Sequence, residues 1–197
     1  MLKKNLWLIP FIFSLTNCVK DENHYRIPAF SDDKYLQAVI EIPAGTNKKF
    51  EYNKLKHIFE VDQKNGKDRV VSFLPYLGNY GFVPSTYSDP KEGGDGDALD
   101  ILVLSESVDT GTVLKVVPIA VLKLIDDGEI DYKIIAVPKD KNKQILKVSN
   151  YKEFCEKYPE VKNIIELWFL NYNKEDEASI EGWGDEKEAL QEITKNR

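Results

Sequence analysis

The chain has 197 residues, of which 42% are hydrophobic, so it can bury one good core but is short for two full domains. Its formal net charge of −6 provides no basic stripe to displace counterions from nucleic acid, and we expect no nucleic-acid partner. An anionic substrate stays compatible with this charge where bound metal ions reverse the local field.

The N-terminal segment MLKKNLWLIPFIFSLTNC has two lysines, a short apolar run and then a cysteine. The run is too short to span a bilayer and is typical of a secretory signal. Residues 15–18 (LTNC) resemble the lipobox of bacterial lipoproteins, although Asn17 replaces the small residue usual there. We therefore predict a signal peptide over residues 1–17, a lipidated Cys18, a polar tether over residues 18–33 and a folded domain over residues 34–197. The protein would then be a lipid-anchored protein of the bacterial cell envelope that faces the periplasm or the exterior. A plain signal peptide and an uncleaved anchor are the alternatives.

Hydrophobic periodicity divides the rest of the chain into short strands followed by late helices. It predicts strands over residues 37–42, 49–52, 57–62, 69–73, 98–104, 113–126 and 131–138. The pairs Asn65-Gly66 and Asp127-Gly128 predict tight turns between neighbouring strands. Helical spacing predicts helices over residues 151–158, 161–172 and 185–193. Short strands without helices between them predict an α+β fold that is mainly β, built on a small closed barrel.

The segment GGDGDALD, residues 93–100, places Asp95, Asp97 and Asp100 directly before an apolar strand. Carboxylates this close repel one another unless a cation lies among them, and the glycines between them allow the loop to bend. A solvated acidic turn is the alternative. An EF-hand loop is excluded because it requires a polar residue and a glycine where this chain has Leu99 and Asp100. The segment therefore predicts a metal site at the mouth of a strand.

Three other polar segments occur at intervals along the chain. One contributes a second acidic cluster followed by a lysine: Asp126, Asp127, Glu129, Asp131 and Lys133. An upstream segment contributes two glutamates and a lysine between them: Glu41, Lys49 and Glu51. The third contributes an arginine and two tyrosines: Arg69, Tyr76 and Tyr80. Each group alone is typical of a solvated surface or of core tyrosines, and only their order along the chain is informative.

In this order the segments resemble the motifs of soluble family I inorganic pyrophosphatases, over about residues 36–193. DGDALD is similar to the family's D-x-D-P-x-D, with Ala98 in place of proline, and EIPAGTNKKFE, NYGF, D-x(4)-D-x-K and EGWGDEKEALQEI match its other segments. The resemblance implies a five-stranded OB-like closed β-barrel with helices packed outside it, mostly C-terminal. It also implies hydrolysis of inorganic pyrophosphate to two orthophosphates by a water that several Mg²⁺ ions activate.

The resemblance further implies a role for each matching residue. Asp97 would be the general base. Metal ligands would be the other carboxylates of the motifs: Asp95, Asp100, Asp126, Asp131, Glu41 and Glu51. Phosphoryl oxygens would be bound by Lys49, Arg69, Tyr80, Lys133 and Tyr172. The family's late Tyr-Lys pair is Tyr172-Asn173 here, so Lys174 is the candidate for the missing lysine.

Two other functions stay open at the level of the sequence. The first is an exported hydrolase of the same fold that acts on another phosphoanhydride, and the second is a non-catalytic lipoprotein that binds metal or phosphate. His24 and His57 form no metal-ligand pattern, so a zinc or Ser-His hydrolase has no support. A homo-oligomer is compatible with the sequence.

Overall fold

The computed structural model describes residues 23–197, and most of its regular structure is β. The strands are β1 (Leu36–Ile42), β2 (Phe50–Asn53), β3 (Ile58–Val61), β4 (Gln63–Lys64), β5 (Lys67–Asp68), β6 (Asn79–Phe82), β7 (Asp100–Val103), β8 (Val113–Asp126), β9 (Glu129–Ile130), β10 (Lys133–Pro138) and β11 (Ala178–Asp185). The helices are α1 (Tyr151–Lys157), α2 (Pro159–Phe169) and α3 (Glu186–Lys195), with short 3-10 turns at His24–Arg26 and Pro90–Glu92.

Seven strands form the main sheet, in the order β1-β6-β7-β10-β8-β11, with β9 paired to β8. Strand β1 pairs with both β6 and β8. Strands β7 and β10 are parallel, and their register sets Asp100 opposite Lys133. This register brings the last aspartate of the GGDGDALD segment beside the lysine of the second acidic cluster.

The core lies on both faces of this sheet because successive side chains of a strand point to opposite sides. In β10, Ile135 packs in the cluster that contains Trp168 and Phe169 of α2. Its neighbour Ile134 packs in the cluster that contains Ala189 and Ile193 of α3. All six residues of β10 are buried, so the strand that begins at Lys133 is a rigid support for that side chain.

Most strand and turn predictions are confirmed, including the long strand over residues 113–126. Asn65 and Gly66 have φ of 56° and 73°, and Asp127 and Gly128 have 48° and 85°, as tight hairpin turns require. The strand predicted over residues 69–73, on the far side of the Asn65-Gly66 turn from β3, is wrong. Its Arg69 amide donates to the Asp62 carbonyl at 2.8 Å, but no ladder to β3 follows, and β3 pairs with β2. Strands β6 and β11 and the two-residue strands β4, β5 and β9 were not predicted from the sequence. The helix predicted over residues 161–172 ends at Phe169.

Residues 1–22 lie outside the described part of the chain, and with them the predicted signal peptide and Cys18. Residues 23–33, the described part of the predicted tether, pack against the sheet. Ala29 is buried, and its carbonyl accepts a hydrogen bond of 2.8 Å from the Gln37 amide. Within residues 23–197, no helix combines the length and apolar character needed to cross a membrane.

Candidate active site

One cavity of about 540 Å³ collects side chains from segments that are far apart in the sequence. Twelve of the predicted site residues line it: Glu41, Lys49, Glu51, Arg69, Tyr80, Asp95, Asp97, Asp100, Asp126, Asp131, Lys133 and Tyr172. Lys174 is not among its lining residues and instead lines an adjoining cavity. The sheet register and the loops between strands therefore gather almost the whole motif set around one space.

Lys133 is the buried centre of this site. Its side chain is 3% exposed, and its ammonium donates to Asp100 Oδ2 at 2.5 Å and pairs with Asp131. The Tyr80 hydroxyl donates to the same Asp100 oxygen. Burial alone would lower the pKa of Lys133, but the two carboxylates raise it above its ordinary value. Lys133 is therefore a fixed positive charge at the inner end of the cavity.

Hydrogen bonds to Ser88 hold the loop that carries Asp95 and Asp97. The Ser88 amide donates to the Asp97 carbonyl at 2.7 Å, and the Gly96 amide donates to the Ser88 carbonyl at 2.9 Å. The Asp97 amide donates to Asp95 Oδ1 at 2.9 Å. Gly96 has φ of 82°, a conformation that favours glycine. These bonds shape the loop although Ala98 stands where the family motif has proline.

The cavity is strongly acidic. Ten carboxylates line it against four cationic side chains, Lys49, Lys54, Arg69 and Lys133. Burial raises the pKa of Glu41 to about 8, and the nearby Asp100 raises it further. A hydrogen bond of 2.7 Å from the Tyr52 amide lowers it but does not outweigh the burial. Burial and the neighbouring carboxylates raise the pKa of Asp95 to about 6. Protonation of these groups relieves the repulsion, and so would a bound cation.

The donor set fits Mg²⁺, because the anionic groups that line the cavity are all carboxylates and Mg²⁺ prefers oxygen ligands. Asp126 Oδ1 is buried and has no hydrogen-bond partner among the described residues, so it is free to bind an ion. Within residues 23–197, however, no three carboxylate, imidazole or thiol groups are gathered closely enough to hold an ion as they stand. Lys133 lies between Asp100 and Asp131, so ion binding there requires these carboxylates to turn.

Among the cavity residues that the sequence did not predict, Lys54 and Tyr25 contact each other. Lys54 donates to Asp97 Oδ1 at 2.5 Å, and its ammonium lies 4.8 Å from the ring centroid of Tyr25. Tyr25 stacks on Phe82 with ring centroids 4.4 Å apart. Neither residue belongs to one of the sequence motifs, and only the folded chain brings the two to the cavity.

The mainly-β fold and the cavity lined by ten carboxylates and four cationic side chains define an acidic site that also carries fixed positive charge. The family model described as inorganic pyrophosphatase matches residues 38–197. The chain is 34% identical over 177 residues to the inorganic pyrophosphatase of Neisseria meningitidis serogroup B, covering 88% of this chain and 93% of that protein. The inorganic pyrophosphatase of Sulfolobus acidocaldarius is 34% identical over 162 residues, 80% of this chain and 87% of that one.

Solved structures agree with these sequence relatives. The crystal structure of inorganic pyrophosphatase from Thermus thermophilus matches with a TM-score of 0.74 and 28% identity, over 88% of this chain and 95% of that chain. The enzyme from Neisseria gonorrhoeae matches with a TM-score of 0.69 and 31% identity, over 82% and 88% of the two chains. The chain belongs to the inorganic pyrophosphatase family.

Proposed function

We propose that this protein hydrolyses inorganic pyrophosphate to two orthophosphates and requires Mg²⁺ to do so. The observation that carries the proposal is the convergence of twelve motif residues on one cavity in a chain of this family. Pyrophosphate is a compact polyanion, so an attacking water must approach negative oxygens. Bound Mg²⁺ would neutralise these oxygens and lower the pKa of a bound water.

The carboxylates divide into metal ligands and one proton acceptor. Asp95, Asp100, Asp126 and Asp131 would hold the ions at the inner part of the cavity, and Glu41 and Glu51 would hold those that accompany the substrate. Asp97 would accept the proton of the attacking water. Its side chain is 62% exposed, and Oδ1 accepts from the Lys54 ammonium at 2.5 Å, so Oδ2 would be the oxygen that takes the proton.

The cationic and phenolic groups would bind phosphoryl oxygens. Arg69 is oriented by a hydrogen bond of 2.7 Å to Asp62 Oδ2, which leaves other guanidinium donors for the substrate. Tyr172 is held by stacking on Trp168, with ring centroids 4.8 Å apart and planes at 9°. Lys49, Tyr80 and Lys133 complete this group. Lys174 would contact the leaving phosphate only by reaching back from the adjoining cavity.

The proposal includes the family's OB-like, five-stranded closed barrel. The strand pairings support it, because each of β1, β6, β7, β10 and β8 has two partners within this set of five. We also propose, from the sequence of residues 1–18 alone, that the signal peptide is removed and that Cys18 carries a lipid anchor. The enzyme would then act at the cell envelope.

A phosphate-release assay tests the proposed activity. Purified protein is incubated with pyrophosphate and Mg²⁺, with Ca²⁺ in place of Mg²⁺, and with a chelator. We expect orthophosphate release with Mg²⁺ only, because larger Ca²⁺ occupies oxygen sites without the octahedral geometry that Mg²⁺ imposes. Absence of release with Mg²⁺, or full release with the chelator, contradicts the proposal.

A further inference from the structure

We call the cavity of about 540 Å³ described above the catalytic cavity. A second cavity, of about 520 Å³, adjoins it and shares Lys49, Arg69 and Tyr172 with it. The β4–β5 hairpin contributes one group of its lining residues, and residues 171–175, which follow α2, contribute another. We call this second cavity the basic groove. Because the shared residues lie at the boundary, a ligand longer than pyrophosphate can extend from one cavity into the other.

The charge reverses sign between the two cavities. The basic groove is lined by five cationic side chains against two carboxylates: Lys49, Lys64, Lys67, Arg69 and Lys174 against Asp68 and Glu175. The catalytic cavity has the opposite excess. An anionic group in the groove would therefore be attracted by the protein itself, without the metal ions that the catalytic cavity requires.

The hairpin sets two of these lysines against each other. Lys64 and Lys67 are register partners across the Asn65-Gly66 turn, and like charges directly opposite in an antiparallel pair destabilise it. Lys64 is compensated by Glu175 at 2.7 Å, but the two side chains are 56% and 73% exposed. An ion pair this exposed is weak and can be exchanged for a phosphate. An anion in the groove would therefore relieve the repulsion between the two lysines.

We propose that the basic groove is a subsite for the third phosphate of a linear triphosphate chain, such as inorganic tripolyphosphate, whose first two phosphates lie in the catalytic cavity. Lys64, Lys67 and Lys174 bind the third phosphate as point charges. Arg69 and Tyr172 lie at the junction between the second and third groups. This inference rests on the proposed pyrophosphatase function, because it takes the first two phosphates to occupy the pyrophosphate position.

The test is inhibition of pyrophosphate hydrolysis by tripolyphosphate at constant free Mg²⁺. The variant is Lys64→Ala/Lys67→Ala, and the control is Lys141→Ala/Lys152→Ala, which removes the same charge from exposed positions outside both cavities. We expect the inhibition constant of tripolyphosphate to rise roughly five- to twentyfold in the hairpin variant, since an exposed ionic contact contributes up to about fivefold. The KM for pyrophosphate should change less than twofold, and the control should change neither constant.

Several results would overturn the proposal. One is an unchanged inhibition constant in the hairpin variant, and another is an equal rise in the KM for pyrophosphate, which would indicate a general charge effect. If the hairpin variant unfolds, Lys67→Gln alone should still raise the inhibition constant, and a lack of any rise would count against the groove. If the wild-type protein does not hydrolyse pyrophosphate, the proposed function fails. Calorimetry with tripolyphosphate and with orthophosphate then tests whether the basic groove binds a third phosphate. The groove proposal is supported only if the hairpin variant loses affinity for tripolyphosphate and not for orthophosphate.

Discussion

Glu41 should make the metal-free protein less stable as the pH rises toward 8. Its pKa is raised from 4.5 to about 8, chiefly by burial. Between these values the folded state keeps the proton and the unfolded state has lost it, so the free energy of unfolding falls with increasing pH and becomes level above the folded pKa. The whole difference between the two pKa values corresponds to a loss of about 5 kcal/mol in the free energy of unfolding. Because the side chain is only partly buried at the cavity wall, we expect a loss of about 2–4 kcal/mol.

Urea unfolding from pH 4.5 to 9 with chelator measures this loss in the wild type, in Glu41→Gln and in the control Glu160→Gln at the exposed start of α2. A glutamine keeps an oxygen for the Tyr52 amide but cannot ionise, so most of the decrease should disappear in Glu41→Gln. The part of the decrease that comes from Asp95, whose pKa is about 6, should remain in this variant and level off above pH 6, once Asp95 has ionised. Mg²⁺ should restore stability most at high pH, because it binds the ionised form. A pH profile of Glu41→Gln that coincides with the wild-type profile refutes the reasoning.

Three further predictions concern the proposed general base, the buried lysine and the proposed anchor. Asp97→Asn should lower turnover by roughly 10²-fold or more with little change in the calorimetric affinity for Mg²⁺; unchanged turnover, or lost binding of the first ions, removes Asp97 from this role. Lys133→Met should lower the free energy of unfolding in urea by about 3–5 kcal/mol because it removes the buried ammonium that pairs with the partly buried Asp100 and Asp131. The control Lys123→Met, at a partly exposed position that loses only a surface pair with Glu188, should cost less than about 1 kcal/mol, and equal effects would contradict this account. Cys18→Ser should release the protein from membranes to the soluble fraction with unchanged catalysis; mass spectrometry that finds an unmodified N-terminus downstream of Cys18 would exclude the anchor.

The strand errors show where periodicity stops being informative. The segment after Asp68 is rich in β-branched and aromatic residues, as strands are, yet Val70 and Phe73 are exposed, and the segment forms only an isolated bridge between Val70 and Lys48. The segment NYGF of β6 has a glycine and an asparagine, which lower its strand propensity. It is nevertheless a buried strand, because the Gly81 backbone packs against β1 with no room for a side chain and Asn79 is satisfied by four hydrogen bonds.

The sequence by itself determined the residue types of the site and their order, and through them the family. The chemistry of a short motif such as DGDALD can be inferred from its own residues, because the close spacing of Asp95, Asp97 and Asp100 already favours a bound cation. The turns at Asn65-Gly66 and Asp127-Gly128 are equally local, since positive φ is a property of the residues themselves.

Only the tertiary structure decided which of these groups meet and how each is charged. The parallel register of β7 and β10 buries Lys133 between Asp100 and Asp131, and the burial of Glu41 raises its pKa. The fold also brings Tyr25 to the cavity and places Lys174 in the basic groove. These properties depend on burial and on contacts between residues far apart in the chain, and neither is encoded in the neighbouring residues of any one motif.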